Sequence, residues 1–404
     1  MIEMKAIKDC QNSLIIVFLL LIVFLLIFNQ KAIYAQDSQT EYLNLDTSEE
    51  FVKNDKKKED FKWREGKLVE PIKKEGLLPI RGMDFYPYPH QYSNKKTLPS
   101  LDALLRVKEV NWVQLRFFLY QDDEKGNEVY INEDQDKILR EMIRKIHKTG
   151  RKVSLQPHLL VEEYRSWGGV IEPTDIDEWF SSYSKAFMHY VKIAEEENVE
   201  LLLIGNEYIT MWKYSQKWEE LIEKIRKEYS GEITAKINCW WQEEYIEKVM
   251  KWNWMRRLDY IGISPYFDLI RKKEPSLEEI KNSWADSHHG FNIVKQLEKI
   301  SNEFGKDILF LEIGYRSIQG TVMEPWNYRR NVPTDSNDEA IPSERQQTLA
   351  TQALFDVFLE KEWFKGVFLF LWPTEIIVDP ESTDWTIPGK EVEEIIWDNY
   401  RRKR

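Results

Sequence analysis

Two glutamates occupy the same place in two apolar segments of the chain. The first segment is Leu-Leu-Leu-Ile-Gly-Asn-Glu and ends at Glu207, and the second is Ile-Leu-Phe-Leu-Glu-Ile-Gly, with Glu312 near its end. Apolar runs of this length are typical of strands buried on both faces, so each would deliver a carboxylate where the strand gives way to a loop. One strand-end glutamate is more often a solvated residue or an ion-pair partner. Two in one repeated pattern indicate an enzyme that works with paired carboxylates.

Paired carboxylates suit the cleavage of a glycosidic bond. That reaction needs a protonated acid for the leaving oxygen and an ionised carboxylate beneath the anomeric carbon. In retaining enzymes the two groups lie about 5 to 5.5 Å apart, and burial beside an anionic neighbour keeps the acid protonated. Glu207 and Glu312 are far apart in the sequence, so the fold must bring them together.

Apolar runs alternate with segments of helical period along most of the chain. The predicted strands are 81–85, 112–117, 152–158, 201–207, 233–238, 260–266, 308–314 and 367–372. The predicted helices are 100–108, 134–149, 175–197, 216–229, 243–252, 291–304, 343–360 and 392–400. This alternation predicts an α/β fold of the (β/α)8 TIM-barrel type and fits a doubly wound open sheet less well. In a barrel the carboxyl ends of the strands converge on one face, where the catalytic residues lie.

Other predicted strands bring polar and aromatic side chains to the same face. Arg116 lies on the second strand, His158 ends the third, Asn238 the fifth, Tyr266 the sixth and Trp372 the eighth. Each also has a structural interpretation, because a strand-end tyrosine, histidine or tryptophan can simply pack. Arg116 would either position the second glutamate or neutralise its charge, and the sequence favours neither.

Aromatic residues also lie in the loops that follow several predicted strands. Flat side chains in such loops can stack against sugar rings, although any single one is more often a packing residue. Together they predict an extended cleft for an oligosaccharide or polysaccharide rather than a small-molecule pocket. They are Trp167, Trp240, Trp241, Trp326, Tyr328 and Trp385.

The composition excludes one class of partner and one class of site. The formal charge is −12 and no Lys-rich segment is interleaved with aromatic residues, so nucleic acid is not a predicted partner. Cys10 and Cys239 are the two cysteines and form no Cys-based metal motif, and the six histidines show no metal-ligand spacing. We therefore expect no metal and no other cofactor. The sequence carries no signal for the oligomeric state.

The amino terminus has the pattern of an export signal. Residues 13–28 are almost wholly apolar, follow Lys5 and Lys8, and precede a small residue, Ala35. This pattern predicts a signal peptide over residues 1–35, with an uncleaved membrane anchor as the alternative. Residues 36–79 are rich in charge and predict a solvated linker, and residues 80–404 form the predicted catalytic domain. The protein is thus expected to be secreted or extracytoplasmic, and an anchor would tether it to a membrane.

The predicted barrel resembles the clan A retaining glycoside hydrolases. The resemblance rests on Asn-Glu at the end of the fourth strand, Tyr266 at the end of the sixth, Glu312 on the seventh and Trp372 on the eighth. More narrowly, short motifs between residues 80 and 400 are similar to those of glycoside hydrolase family 113, whose characterised activity is chiefly endo-β-1,4-mannanase. These motifs are Arg81-Gly82-Met83, Gln156-Pro157-His158, Ile204-Gly205-Asn206-Glu207, Leu311-Glu312-Ile313-Gly314-Tyr315 and Pro388-Gly389-Lys390.

The resemblance implies a role for each matching residue. Glu207 would be the acid/base and Glu312 the nucleophile of a double displacement. Asn206 would bond the sugar 2-hydroxyl, Tyr266 would donate to the nucleophile, and Trp372 would form the stacking floor beneath the cleaved sugar. The residues that would bond other sugar hydroxyls are His158 and Asn238.

The sequence therefore predicts a retaining β-glycoside hydrolase that acts on β-1,4-mannan or a related polysaccharide. Within the enzyme class the substrate could instead be a β-glucoside, a β-galactoside or a bacterial surface glycan, because the two-glutamate machinery is common to all of them. A different class is a non-catalytic glycan-binding barrel at the cell surface. The presence of both Glu207 and Glu312 argues against it, because a binder has no need of two placed acids.

Overall fold

The structure is a computed structural model, and it describes residues 67–92, 94–162, 165–327, 340–379 and 381–404. The predicted signal peptide or anchor, the first part of the predicted linker, and Tyr328 lie outside the described residues. In the described part of the chain, no helix is both long and apolar enough to cross a membrane.

Parallel strands form a closed barrel of eight in the described part of the chain. They are β1 (Ile80–Phe85), β2 (Trp112–Gln121), β3 (Lys152–Val161), β4 (Leu201–Asn206), β5 (Glu232–Asn238), β6 (Ile261–Ser264), β7 (Ile308–Ile313) and β8 (Phe364–Trp372). Each strand pairs with the next, and β8 pairs with β1, which closes the sheet. Two short strands, Tyr130–Ile131 and Ser166–Trp167, pair antiparallel with the ends of β2 and β3. The predicted (β/α)8 barrel is confirmed.

Helices surround the barrel and connect its strands. They are α1 (Thr97–Leu104), α2 (Asp136–His147), α3 (Ile176–Glu196), α4 (Ser215–Glu228), α5 (Tyr245–Val249), α6 (Leu277–Ser283), α7 (Ile293–Phe304), α8 (Glu344–Phe358) and α9 (Glu391–Arg401). The predicted helix 243–252 contains only the short α5, and α6 was not predicted. A capping box opens α6, because Ser276 Oγ accepts from the Glu279 amide at 3.3 Å and the Glu279 carboxylate accepts from the Ser276 amide at 2.8 Å.

Residues 67–79 lie against the amino-terminal end of the barrel, although the sequence predicts a solvated linker there. The Arg81 guanidinium donates to the carbonyl of Ile72 at 2.9 Å, and Arg151 donates to the carbonyl of Val69 at 2.8 Å. Both arginines are buried, so their hydrogen bonds hold this segment against the barrel. The described end of the predicted linker therefore belongs to the folded domain.

The barrel interior is apolar at one end and polar at the other. Apolar side chains fill the amino-terminal end: Ile80, Trp112, Leu201, Leu203, Leu309, Leu311 and Phe368. A larger apolar cluster lies between the strands and the helices. Toward the carboxyl-terminal end, buried polar side chains replace the inner apolar ones: Asp84, Gln114, Arg116, Gln156 and Lys236. Buried charges cost free energy unless they are paired, so their concentration at this end marks it as the functional face.

A bulge in β7 turns Glu312 into the barrel. Phe310 and Ile313 both belong to the outer cluster, and they pair with Val367 and Leu369 of β8. Three positions on β7 thus oppose two on β8, as in a β-bulge. Strict alternation would place Glu312 on the same side as Phe310. Because of the extra residue, it points inward instead.

A similar irregularity lies in β4, just before the first glutamate. Leu203 pairs with Thr234 of β5, but the next pair joins Asn206 to Lys236, so β4 also has one extra residue. A side chain at Gly205 would come within 2.6 Å of the Trp212 ring, which explains the glycine. Asn206 is consequently in register with Lys236, on the inner side of the barrel.

Candidate active site

Three side chains hold the carboxylate of Glu312 at the polar end of the barrel. The Arg116 guanidinium donates to Oε2 at 2.9 Å, and the Lys236 ammonium pairs with the same oxygen. The Tyr266 hydroxyl donates to Oε1 at 3.3 Å. Both carboxylate oxygens thus have donors, and the side chain remains 16% exposed.

The surroundings of Glu312 favour its ionised form. Burial alone would raise its pKa, but the charges of Lys236 and then Arg116 outweigh burial and lower the pKa to about 2. At neutral pH Glu312 is therefore an ionised carboxylate, which a nucleophile needs to be.

Glu207 has the opposite tendency. Burial raises the pKa of its carboxyl group, and the charge of Glu312 raises it further, while Lys236 opposes both. Its backbone has φ of +58°, in the left-handed region that non-glycine residues rarely adopt. The two glutamates therefore have pKa values displaced in opposite directions, as acid/base and nucleophile require.

Lys236 connects the two glutamates through different atoms. Its carbonyl oxygen accepts from the Glu207 amide at 2.8 Å, while its ammonium pairs with Glu312. The side chain is only 1% exposed. A charge that is almost completely removed from water is stabilised only by a close partner. The Lys236–Glu312 ion pair is therefore an integral part of the site.

A second carboxylate shares the guanidinium of Arg116. Asp84 accepts from Arg116 Nη2 at 2.7 Å. Burial raises the pKa of Asp84 to about 6, and Arg116 opposes that rise. Gln114 donates to the Leu311 carbonyl at 2.9 Å and so ties β2 to the bulge that carries Glu312. Arg116 therefore both positions Glu312 and offsets its charge, and the two interpretations left open by the sequence are not exclusive.

Lys236, Asp84 and Gln114 belong to this cluster but are not among the residues predicted for the site. A signal for two of them exists in the spacing of polar residues along their strands. Lys236 stands two residues before Asn238, and Gln114 two residues before Arg116. Residues two apart on a strand share a face, so polar positions that precede a predicted site residue by two are candidates for the same site.

Several buried polar atoms at the mouth have no hydrogen-bond partner among the described residues. They are Nη1 of Arg116, Nδ1 of His158, Oδ1 of Asn206 and Oδ1 of Asn238. Leaving a buried polar group unpaired costs about 1–3 kcal/mol. A ligand with many hydroxyl groups, which both donate and accept, would satisfy donors and acceptors together. The structure thus brings these four predicted residues to the mouth with Glu207, Glu312 and Tyr266.

The imidazole of His158 is neutral at the mouth. Burial lowers its pKa to about 3, with the charges of Arg116 and Lys236 acting in the same direction. Its Nε2 lies 3.5 Å from the Tyr86 hydroxyl. A neutral imidazole can donate with one nitrogen and accept with the other, which suits a hydroxyl ligand.

Trp372 does not reach the mouth, contrary to its predicted place. On β1 Met83 and Phe85 both face the outer cluster, and they pair with Leu369 and Trp372 of β8. One extra residue on β8 therefore turns Trp372 toward the helices. Its indole is 1% exposed and donates to the Ser100 carbonyl of α1 at 3.1 Å.

Trp240 is also buried away from the mouth. Its indole nitrogen donates to Oε1 of Gln296 on α7, and its ring packs edge-on against Phe267 at 5.0 Å between centroids. At 1% exposed it offers no face to a sugar. It is a packing residue between the loop after β5 and a helix.

Phe370 lies at the mouth, where the family resemblance implied Trp372, and the buried ring of Tyr86 packs beside it. The Arg116 guanidinium lies 3.5 Å from the Tyr86 ring centroid and 5.6 Å from that of Phe370, and the two rings are 6.3 Å apart. Phe370 is partly exposed. A flat apolar surface therefore borders the Glu312 side of the mouth.

The remaining loop aromatics lie on the rim with part of their surface exposed. Trp385, after β8, packs against Phe370 with ring centroids 6.2 Å apart. Trp241 and Trp326 contact each other from the loops after β5 and β7. Trp167 lies in the short strand beyond β3. Among the described residues, no group of three His, Cys, Asp or Glu side chains is arranged to hold a metal ion.

Comparisons with known proteins identify a matching family and similar solved structures. The model of Glycoside Hydrolase Family 113 matches residues 84–389. A family 113 β-mannanase from Alicyclobacillus acidocaldarius, solved in complex with ManMIm, is similar with a TM-score of 0.67 and 23% identity over 81% of this chain and 97% of that chain. Another family 113 β-1,4-mannanase has a TM-score of 0.66 and 22% identity over 80% of this chain and 99% of that one. A sequence search of curated proteins finds no match.

Proposed function

The chain belongs to glycoside hydrolase family 113 and is a glycoside hydrolase, and from this we propose that it cleaves β-1,4-mannan or a related polysaccharide with retention of configuration. Glu312 is the nucleophile and Glu207 the acid/base. The observation that carries the proposal is the opposite displacement of their pKa values, with Lys236 and Arg116 holding Glu312 ionised while burial favours protonated Glu207.

The first step forms a covalent glycosyl-enzyme. A carboxylate oxygen of Glu312 attacks the anomeric carbon as the glycosidic bond breaks, and Glu207 gives its proton to the leaving oxygen. In the second step Glu207, now ionised, takes a proton from water as that water attacks the anomeric carbon and releases Glu312. Two inversions give net retention, and the sum is hydrolysis of one glycosidic bond.

The polar side chains at the mouth bind the sugar in this proposal. Asn206, beside the acid, bonds the 2-hydroxyl, an interaction that strengthens as positive charge develops on the ring. His158 and Asn238 bond other hydroxyls, and their unpartnered buried atoms support that role. Tyr266 keeps Glu312 aimed, and Phe370 provides the stacking surface in place of Trp372.

Among the candidate substrates we favour mannan, because the similar solved structures are named β-mannanases. A glycan-binding barrel without catalysis is less well supported, because a binder would gain nothing from carboxylates whose pKa values are displaced in opposite directions. A β-glucan, a β-galactan or a bacterial surface glycan remains the alternative within the enzyme class. We also propose that residues 1–35 direct the protein out of the cytoplasm, as a signal peptide or an anchor.

A reducing-sugar screen of residues 36–404 tests the substrate. We expect new reducing ends from mannan or glucomannan, and none from xylan, cellulose or galactan. Proton NMR of the first-formed product should show the β anomer. Hydrolysis of one of the other polymers alone would replace mannan as the substrate, and an initial α anomer would refute retention.

Loss of the Lys236 charge should move the whole pH profile of kcat/KM to higher pH. The charge lowers the pKa of both glutamates, so Lys236→Met raises both. Glu312 must be ionised, so the acidic limb moves to higher pH together with the pKa of Glu312. Glu207 must be protonated for the first step, so the basic limb also moves to higher pH. We expect kcat at the optimum to fall about 10²-fold from the misplaced carboxylate.

Two variants control the Lys236 experiment. Lys236→Arg keeps the charge and should leave the limbs near their wild-type pH, and Lys299→Met removes a lysine that is 57% exposed and should change neither limb nor rate. A Lys236→Met profile at unchanged pH would contradict the role of this charge.

Trp372→Ala and Phe370→Ala should give opposite signatures. Removing the buried indole of Trp372 should lower the free energy of unfolding by about 3–5 kcal/mol, with little change in kcat/KM per folded molecule. Phe370→Ala should cost less stability but lower kcat/KM about tenfold through lost stacking. Urea unfolding and initial rates measure both. Native stability with lost activity for Trp372→Ala would restore its predicted role as stacking floor.

A further inference from the structure

The rim of the barrel carries an aromatic corner on the Glu207 side. Trp241 of the loop after β5 and Trp326 of the loop after β7 meet with ring centroids 6.4 Å apart and planes at 83°. Trp326 is 40% exposed, one of the few large apolar side chains so exposed in the described chain, and Trp241 is partly exposed. Two perpendicular aromatic faces form a concave apolar surface at the edge of the mouth.

The order of the strands places this corner nearer to the acid/base than to the surface formed by Phe370 and Tyr86, which belong to β8 and the end of β1. Trp241 follows β5, and β5 pairs with the strand that ends at Glu207, where the Lys236 carbonyl accepts from the Glu207 amide at 2.8 Å. The thiol of Cys239, at the start of that loop, donates to the Tyr266 carbonyl at 3.3 Å and fixes the loop there. The corner is therefore continuous with the Glu207 side of the mouth.

A clamp between loops holds Trp326 there. Arg271, in the loop after β6, donates to Glu324 at 2.8 Å and also pairs with the buried Asp268. The amide of Leu269 donates to the Val322 carbonyl at 3.1 Å. The loop after β7 is thus tied across the loop after β6, which brings Trp326 over to the loop after β5.

The chemistry decides which part of a polymer would meet this corner. Glu207 protonates the oxygen that leaves with the released fragment, so that fragment must extend from Glu207 outward. The opposite fragment stays with Glu312, beside Tyr86 and Phe370. We propose that Trp241 and Trp326 bind, by stacking, a sugar on the leaving-group side of a polysaccharide chain. This rests on the proposed function for the direction of the chain but adds a binding site to it.

Two substrates that differ in the size of the leaving group test the proposal. One is a β-1,4-linked mannohexaose, whose leaving fragment reaches the corner, and the other is a β-mannobiosyl fluoride, whose leaving atom does not. We expect Trp326→Ala to lower kcat/KM for the hexaose about tenfold more than for the fluoride, through a raised KM, and Trp241→Ala to act in the same direction. Equal losses on both substrates, or no loss on either, would overturn the proposal.

A matched control and a binding measurement complete the test. Trp363→Ala removes a partly exposed tryptophan at the opposite end of the barrel and should alter neither ratio. Affinity electrophoresis in galactomannan, glucomannan and xylan measures binding without catalysis. If no substrate is hydrolysed, the proposed function fails. The aromatic corner would still be supported if a polymer in the gel slows the migration of the wild-type protein and does not slow that of Trp326→Ala. Retardation that survives in Trp326→Ala, or no retardation in any polymer together with equal kinetic losses, would overturn it.

Discussion

Glu312→Ala should reduce kcat for mannan by about 10⁵-fold or more, the order of loss that follows removal of a nucleophile. The variant cannot form the glycosyl-enzyme, and no other carboxylate replaces it, because Asp84 is fully buried and bound to Arg116. Sodium azide should partly restore consumption of an activated aryl β-glycoside. Azide would attack once from the side of the missing carboxylate, so the product should be the α-glycosyl azide, identified by NMR.

Stability must be measured beside activity for this variant. Removing Glu312 leaves the buried Lys236 without its partner, and breaking a buried ion pair costs about 3–5 kcal/mol. Glu312→Gln keeps the side-chain shape and should lose activity to the same extent with less loss of stability. Glu360→Ala is the matched control, because this glutamate is 77% exposed in the turn that follows α8. Near wild-type rates for Glu312→Ala would remove it from the mechanism.

Glu207→Ala should give a loss that depends on the leaving group. A sugar leaves poorly without a proton, so kcat/KM for mannan should fall about 10³–10⁴-fold, within the range for a general acid. An aryl glycoside with an acidic phenol needs little protonation, so formation of its glycosyl-enzyme should be much less affected. The second step also lacks its base, so turnover of that substrate should stall after a burst.

Azide and pH separate Glu207 from Glu312. In Glu207→Ala azide attacks the intact glycosyl-enzyme, so the expected product is the β-glycosyl azide. The basic limb of the pH profile should disappear, because the raised pKa of Glu207 sets the pH above which the wild-type acid is lost. Equal losses for good and poor leaving groups, with the basic limb intact, would show that another residue protonates the leaving oxygen.

The barrel and its functional face could be predicted from the sequence because they depend on patterns repeated along the chain. The long apolar runs ending at Glu207 and Glu312 marked their strands, and the fold places all strand ends on one face. Arg116, His158, Asn238 and Tyr266 followed from that geometry and Asn206 from the family resemblance, and the structure brings all of them to the mouth.

The direction of the Trp372 side chain could not be predicted from the sequence. Side-chain direction follows from alternation only while a strand is regular, and one extra residue in β8 turns Trp372 outward. The same kind of irregularity turns Glu312 inward on β7. Which residue is extra depends on pairing with the neighbouring strand, which the sequence of one strand does not contain.

Lys236 was missed for a different reason. A lysine in an apolar strand is normally taken as an edge or surface residue, because an isolated buried ammonium is costly. Only the partner explains it, and the partner lies on another strand. The described part of the long loop between β7 and α8 carries Trp326, one of the predicted cleft aromatics, to the rim.

The most direct test of the mechanism is to trap the glycosyl-enzyme. A 2-deoxy-2-fluoro-β-mannosyl fluoride slows both steps by disfavouring the positively charged transition state, while its good leaving group lets the first step proceed. Peptide mass spectrometry of the inactivated protein should find the fluorosugar as an ester on Glu312, and Glu312→Gln should not be labelled. An ester on any other residue, or inactivation without a covalent sugar, would contradict the assignment of Glu312 as nucleophile.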